Sequence, residues 1–401
     1  MAEQQVDVIV VGAGMVGLAG ALKIKRACPE YRVALVAPLE QAPAEALFDP
    51  RVVALTQASR ALLEELNVWD ALVTERVCPY QHMHVWDGEG SGSIDFDSVA
   101  LGAEALGYIV ENRLIVRYLT RELERSGVIR YEAEASALLS LGSHVGGVAL
   151  EGGLALRAPV TLAADGSRSR LRDWAGLAVR EWSYGQTAIV TSVRTELSHG
   201  FAARQRFMQS GPLAFLPLRE SDCDSTPRHC SIVWSADQAL ADELMALDEG
   251  VFAERLAAAF EHRLGAVEWV AERYPLALYQ RHARAYVRPG FALLGDAAHS
   301  IHPLAGQGVN LGFLDVVSLA RELARARQRQ VPLEDVATLR RYERERMGHN
   351  LTMMATMEGF KRLFGARSLP ALLLRNRGMS AVNNLPALKT VLAKEAMGLS
   401  L

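Results

Sequence analysis

The chain is short of the residues that build metal and disulfide frameworks. Only four cysteines, Cys28, Cys78, Cys223 and Cys230, occur in 401 residues, none of them at CxxC spacing. That excludes a zinc knuckle and a disulfide scaffold, and it makes a reducing cytoplasm the simplest setting. An excess of one charge is lacking too: 43 Lys and Arg stand against 46 Asp and Glu, a formal net charge of −3. The Arg-rich pieces at 321–329 and 340–346 alternate with Glu, as solvated helix faces do. Without a basic patch no nucleic-acid partner is expected. No apolar run approaches the roughly 20 residues of a membrane span. The N-terminal "MAEQQVDVIVVGAG" runs straight into a strand, without a charged leader or cleavage site.

What is present is apolar mass. Half of the positions are hydrophobic, enough for a chain of this length to bury a core shared between two domains or one composite domain. Residues 6–11 and 31–37 read as buried strands, and "MVGLAGALKIKRA" between them has helical spacing, so the start predicts a right-handed parallel strand–helix–strand unit. "QASRALLEELNVWDAL" reads as one helix, and "RLIVRYLTRELERSG" as another that ends on Gly127. Short alternating pieces at 76–110, together with "GQTAIVTSVRTE", "ARQRFMQ", "PLAFLPL" and "HCSIVWS" over 184–235, predict a mainly antiparallel sheet. "GFALLG" at 290–295 returns to a buried strand, and the remainder is helical.

"VVGAGMVG" places Gly12, Gly14 and Gly17 in GxGxxG spacing between a strand and a helix. Gly12 permits the tight turn, Gly14 lets the backbone approach a pyrophosphate, and Gly17 lets helix pack on strand, leaving a helix N-terminus aimed at anionic oxygens. A tightly packed structural turn is the bland alternative. One expected part is missing, since the second strand ends on Ala37 and Pro38 instead of an Asp or Glu for ribose hydroxyls, with Glu40 the nearest carboxylate.

Two more signatures follow. Asp165 and Gly166 close a strand before a basic helix, a pair that equally suits an N-cap and turn. Gly295 and Asp296 close another, where a carboxylate can accept hydrogen bonds from sugar-alcohol hydroxyls, and "GQGVNLG" then starts a helix whose positive end suits an anionic heterocycle. GxGxxG near the start, DG near 165 and GD near 296, in that order, resemble the FAD-dependent aromatic hydroxylases, the group A flavoprotein monooxygenases. The likeness covers roughly residues 5–365. Through "DPRVVALTQASRALLEELNVWDAL", "YIVENRLI" and "HPLAGQGVNLGFLDVVSLAREL" it narrows to the ubiquinone-biosynthesis branch of that family.

The resemblance implies an α/β fold: a Rossmann-like FAD-binding domain over 1–75, 105–180 and 280–345, an inserted mixed, mainly antiparallel sheet domain for substrate over 76–104 and 181–279, and a helical C-terminal region over 346–401. It implies FAD with its pyrophosphate at Gly12, Gly14 and Gly17, Arg51 as a cation beside the phosphates or flavin, Asn112 as a polar flavin contact, and Asp165 and Gly166 at the DG motif. Gly295 and Asp296 would hold the ribityl chain. Pro303, Gly306, Gly308, Val309 and Asn310 would face the pyrimidine end, where a helix dipole of about half a charge favours the anionic reduced ring. NAD(P)H would be a transient donor, since no second GxGxxG unit is visible, and oxygen would reach a phenol ring through a flavin hydroperoxide. The implied substrate is a polyprenylated phenol.

His299, His302 and Asp296 invite a metal reading, but Pro303 follows His302 and the spacing matches no standard ligand pair, so no metal is expected. No GxSxG elbow supports a hydrolase. His302 stays a candidate acid–base group, against packing beside the loop. Candidates for lining the substrate wall are Phe207, Phe215, Leu216, Pro217 and Trp234, with core packing the competing reading. The tail, with Arg375, Arg377, Lys389 and Lys394 among apolar residues, could dock on a membrane surface or on partner enzymes, or pack on the body or in a homo-oligomer seam.

Overall fold

The computed structural model describes residues 2–39, 47–221, 223–300 and 308–365, together with Asn376, Gly378, Met379, Asn383, Leu385, Lys389, Thr390 and Met397. The segments Val8–Val11, Val33–Ala37 and Val160–Ala163 carry no polar alternation because both of their faces are covered, and every residue in them is buried. They pair in parallel at the middle of a six-stranded sheet. Its order is Val287–Arg288, Phe291–Leu293, Val160–Ala163, Val8–Val11, Val33–Ala37, Ile129–Glu132. Helix Met15–Ala27 packs on this sheet and against the helices Asn112–Ser126 and Gly308–Gln328. The helix Asn112–Ser126 buries Ile115, Leu119 and Leu123 at helical spacing and ends on Gly127 at φ +77°. Each such leucine contributes about 1.5–3 kcal/mol by leaving water.

The single helix expected from Gln57 onward is two, Gln57–Glu65 and Trp69–Arg76. Asn67 sits between them at φ +59°, a left-handed conformation that an asparagine tolerates and a helix does not. The periodic leucines continue across the break, which hides it from pattern reading. Thr56 caps the first piece by accepting from the Ser59 backbone N–H.

A second, nine-stranded sheet runs in the order His299–Ser300, Tyr274–Ala283, Val179–Thr195, His229–Asp237, Gly211–Leu218, Ala202–Met208, His82–Asp87, Ser93–Asp97, with Val267–Val270 paired to Val179–Thr195. Its ladders are antiparallel except that Ala202–Met208 runs parallel to His82–Asp87. One face of this sheet is closed by helices Gln238–Ala246 and Glu249–Ala259 over a core of Ile189, Leu213, Phe215, Ile232, Trp234 and Phe252. The other face turns toward the six-stranded sheet. A three-stranded sheet of Val52–Leu55, Gly107–Glu111 and Cys78–Tyr80 lies at the junction, and a four-stranded one, in the order Ala2–Gln5, Leu154–Arg157, His144–Leu150, Ala135–Leu141, flanks the parallel strands.

Of the tail residues singled out in the sequence, Arg375, Arg377 and Lys394 lie outside the described residues. Lys389 is described, its Nζ 5.9 Å from the centre of the Phe96 ring and donating within the tail to Asn383 at 3.1 Å, and two tail asparagines bond to the body: Asn376 Oδ1 accepts from the Gly92 N–H at 2.7 Å and Asn383 Oδ1 from the Asp95 N–H at 3.2 Å. Among the described residues no helix is long and apolar enough to cross a membrane.

Candidate functional site

The turn after strand Val8–Val11 is where sequence dictates geometry most directly. Gly12 has φ +112°, and a Cβ there would collide with the Ala164 carbonyl oxygen at the end of the neighbouring strand. A Cβ on Gly17 would collide in turn with the Gly12 carbonyl. Gly14 is different, with open space where its Cβ would stand. It begins helix Met15–Ala27 in an extended conformation, with no side chain capping the first N–H groups. A helix start left uncapped in the wall of a cavity is an anion site, because several N–H donors and the positive end of the dipole converge there.

That cavity encloses about 550 Å³. Gly14, Arg51, Asn112, Gly166, Asp296, Gly308 and Val309 all line it. Segments from five distant parts of the chain thus meet on one wall. An adjoining groove of about 230 Å³ is lined by Gly12, Ala37, Pro38, Glu134, Asp165 and Arg168. Gly17 and Gly295 stand behind the wall as packing positions, the latter against Val16. Glu40, His302, Pro303 and Gly306 lie outside the described residues.

Asn112 and Ser300 of the cavity and Asp165 of the adjoining groove have unmet polar atoms. Asn112 Oδ1 and Asp165 Oδ1 are sealed from solvent without a hydrogen-bond partner, although Asp165 Oδ2 accepts from the Leu171 N–H at 3.2 Å. Unpaired buried acceptors cost free energy, and a turn of either side chain toward a ligand bearing hydroxyl or N–H groups relieves that cost. Asp296 opens into the cavity, yet its walls enclose the carboxyl enough to raise its pKa above the ordinary value, against the lowering influence of His299 and Arg281. The uncapped helix start, the open space at Gly14 and these waiting acceptors suit a dinucleotide with a sugar-alcohol chain.

Arg51 extends into solvent with its side chain 66% exposed, and its Nε lies 3.9 Å from Asp49 Oδ1, at the limit of an ion pair. Asp49 itself is buried and held by the N–H groups of Arg51 at 2.9 Å and Arg113 at 3.0 Å. Glu111 braces the same turn, accepting from the Asp49 N–H at 2.6 Å and pairing with Arg76 and Arg113. Burial raises its pKa against these donors. Asn310 is spent on structure: Oδ1 accepts from Thr56 N–H at 3.1 Å and Ser59 Oγ at 2.6 Å, while Nδ2 donates to Ala54 at 2.8 Å. Its side chain ties helix Gly308–Gln328 to the neighbouring helix and strand.

The histidine–carboxylate pair read from the sequence regroups. His299 Nε2 lies 2.6 Å from Asp315 Oδ2, which also accepts the Gly295 N–H at 3.1 Å, and Arg346 Nε donates to Asp315 Oδ1 at 2.9 Å. Burial pushes Asp315 upward, but His299 and Arg346 outweigh it and hold the carboxyl below its ordinary value. Arg346 continues to Asn350 at 3.1 Å, Asn350 to the Tyr286 hydroxyl at 3.3 Å, and Tyr286 to His282 Nε2 at 3.0 Å. This buried chain clamps the turn that presents Asp296. Asp315 was missed as a site residue, yet a signal existed: it falls between Leu311 and Leu319 on the buried helical stripe, where a charge requires partners. Among the described residues no group of histidine, cysteine and carboxylate side chains is arranged to hold a metal ion.

Opposite the motif wall stands the nine-stranded sheet. Ala188, Val190, Ala203, Gln205, Ala214, Leu216, Val233 and Leu278 face the cavity. Of the expected wall residues only Leu216 is among them. Phe215 and Trp234 point to the other face, into the core beneath the two covering helices, because side chains one residue apart on a strand take opposite faces. Pro217 shares the parity of Phe215, and Phe207 shares that of Gln205 but lies beyond the cavity lining.

Comparison with known proteins agrees with this arrangement. Residues 5–356 match the family described as FAD binding domain. The chain is 36% identical over 404 residues to the 3-demethoxyubiquinol 3-hydroxylase of Escherichia coli (strain K12), covering 100% of both. It is 33% identical to the mitochondrial ubiquinone biosynthesis monooxygenase COQ6 of Xenopus tropicalis, over 96% of this chain and 91% of that protein. Its fold is that of p-nitrophenol 4-monooxygenase PnpA from Pseudomonas putida DLL-E4, with a TM-score of 0.78, 19% identity and 99% of each chain covered.

Proposed function

The chain belongs to the FAD-binding domain family of aromatic-ring monooxygenases, in its ubiquinone-hydroxylase branch, and from that premise we propose that it hydroxylates the ring of a polyprenylated phenol, of the 2-octaprenylphenol type, in ubiquinone biosynthesis. The observation that carries this reading is the cavity itself. One wall has the donors and acceptors that suit a dinucleotide, and the facing wall is apolar and shaped by small side chains that leave room for a ring.

On this reading the uncapped N-terminus at Gly14 and the turn at Gly12 receive the pyrophosphate. Asp165 lines the groove on the adenosine side, where Ala37 offers nothing. Asp296 accepts from the ribityl hydroxyls, and Asn112 from a flavin N–H. Arg51 supplies a mobile cation beside the phosphates, and the helix start at Gly308 and Val309 lies at the pyrimidine end. Bound FAD supplies the redox chemistry, carrying electrons from NAD(P)H to oxygen, one atom of which ends on the phenol ring and the other in water. The sheet wall does the rest by holding the ring in place and keeping water from the reacting atoms.

A second reading, hydroxylation of a demethoxyubiquinol-type ring, is favoured by the activity of the Escherichia coli relative. Deleting the gene in its host and identifying the accumulating quinone intermediate by mass spectrometry separates the two. A prenylphenol supports the first and a demethoxyquinol the second. Unchanged ubiquinone with no accumulating intermediate overturns both.

A further inference from the structure

The sheet wall is apolar at Ala188, Val190, Ala214, Leu216, Val233 and Leu278, and two polar residues of the same sheet, Gln205 and Ser300, break the pattern. Gln205 stands on strand Ala202–Met208 beside Ala214 and is 6% exposed. Its carboxamide forms no hydrogen bond to any side chain or backbone group among the described residues, and its polar atoms are open to the cavity instead of sealed in protein. Other glutamines of this sheet are committed. Gln186 Nε2 donates to the Ser210 carbonyl at 2.8 Å, and Gln280 accepts from the Tyr184 hydroxyl. Ser300, at the edge of the sheet, has its hydroxyl sealed in protein, and Tyr80, on the adjoining three-stranded sheet, lays its hydroxyl against Gly107, where burial pushes its phenol up to about 12, so it stays uncharged.

An amide in the lining of an apolar wall, its polar atoms neither paired nor sealed in protein, is a recognition device. Apolar contacts set how a ring lies, but a few fixed polar groups decide which way round it lies. A phenol offers one such handle, its oxygen. The carbonyl of an amide accepts from the phenol, and its N–H₂ donates to the phenolate that forms as the ring becomes electron-rich. We propose that Gln205 holds the phenolic oxygen of the substrate and so determines which ring carbon faces the cofactor wall. The proposal rests on the ring-hydroxylase reading above and adds the residue that sets ring orientation.

The test uses holoenzyme and two probes, 2-geranylphenol and its methyl ether, with binding read from the perturbation of bound flavin absorbance. Wild-type enzyme should bind the phenol about tenfold more tightly than the ether, the worth of one hydrogen bond in a dry site. Gln205→Met, close in volume, should retain its flavin and bring that ratio near unity, while hydroxylation spreads over more ring positions and more reducing equivalents are lost as hydrogen peroxide. Gln205→Asn, which keeps the amide but withdraws it, should also lose the ratio, and it serves if the methionine variant does not fold. A ratio retained in either folded variant, or absent in wild type, overturns the assignment. If wild-type enzyme discriminates phenol from ether but releases no hydroxylated product, the ring-hydroxylase reading fails, and the ratio still decides the role of Gln205.

Discussion

The two walls of the cavity are fixed by different physics. On the motif wall the backbone decides: Gly12 and Gly17 sit where any Cβ would collide, and Asp296 is presented by a turn whose Gly295 N–H is anchored on Asp315. On the sheet wall only side-chain parity decides. Ala214 and Leu216 face the cavity while Phe215 between them is core, so a shift of one residue would exchange the two sets. The first wall tolerates little substitution and is expected to be lost all at once. The second can change residue by residue, altering what binds without unfolding the chain.

Removing the anchor should have the largest effect. Asp315→Ala leaves His299 and Arg346 buried without their carboxylate, and urea denaturation should show a loss of about 3–5 kcal/mol with loss of flavin. A change below about 1 kcal/mol would mean that the chain from His299 to Arg346 does not hold the motif wall. Parity on the sheet wall can be tested by neighbours. Phe215→Ala should cost about 3–5 kcal/mol in stability, whereas Leu216→Ala, whose side chain already borders open space, should cost about 1–2 kcal/mol and chiefly raise the substrate KM. The opposite ranking would assign the faces the other way.

The folded state as a whole should weaken on mild acidification. His199 and His282 are held at about 4 instead of 6.5, first of all because burial disfavours the cation. The unfolded chain binds protons that the fold refuses, so stability is complete above about pH 6.5 and falls as pH drops toward 4, by roughly 3 kcal/mol per histidine. Urea midpoints at pH 7 and pH 5 check this, and His199→Gln with His282→Gln should flatten the slope. On the motif wall, Asp296→Ala should weaken FAD binding about 10- to 100-fold, giving nearly colourless protein, and retention of stoichiometric flavin would remove Asp296 from the site. Arg51→Ala should change stability by less than about 1 kcal/mol, since the pair with Asp49 is long and its Arg51 end is exposed. If Arg51 serves the phosphates, FAD affinity falls while thermal stability does not.

The contrast between walls also explains what could be read from the chain. Glycine spacing between a strand and a helix is a local signal, and Gly12, Gly14 and Asp296 are legible because each motif dictates its own backbone. Gln205 is not legible. Nothing near "ARQRFMQ" tells which parity faces a cavity, because both faces of that strand are a mixture of buried and half-buried side chains and only long-range pairing assigns them. Asn310 shows the reverse failure: its place in the motif is plain, but its hydrogen bonds to Ala54, Thr56 and Ser59 come from a segment some 250 residues earlier. Asp315 lay between, visible as a charge on an apolar stripe but without a partner until His299 and Arg346 are brought beside it.

The account stands most directly on one measurement: holoenzyme turned over with NAD(P)H, a prenylphenol and ¹⁸O₂, with the product analysed by mass spectrometry. The expected product is a hydroxylated ring carrying one labelled oxygen, formed in proportion to the NAD(P)H consumed. Flavin-bound protein that consumes NAD(P)H only to make hydrogen peroxide, or that places unlabelled oxygen on the ring, would contradict it.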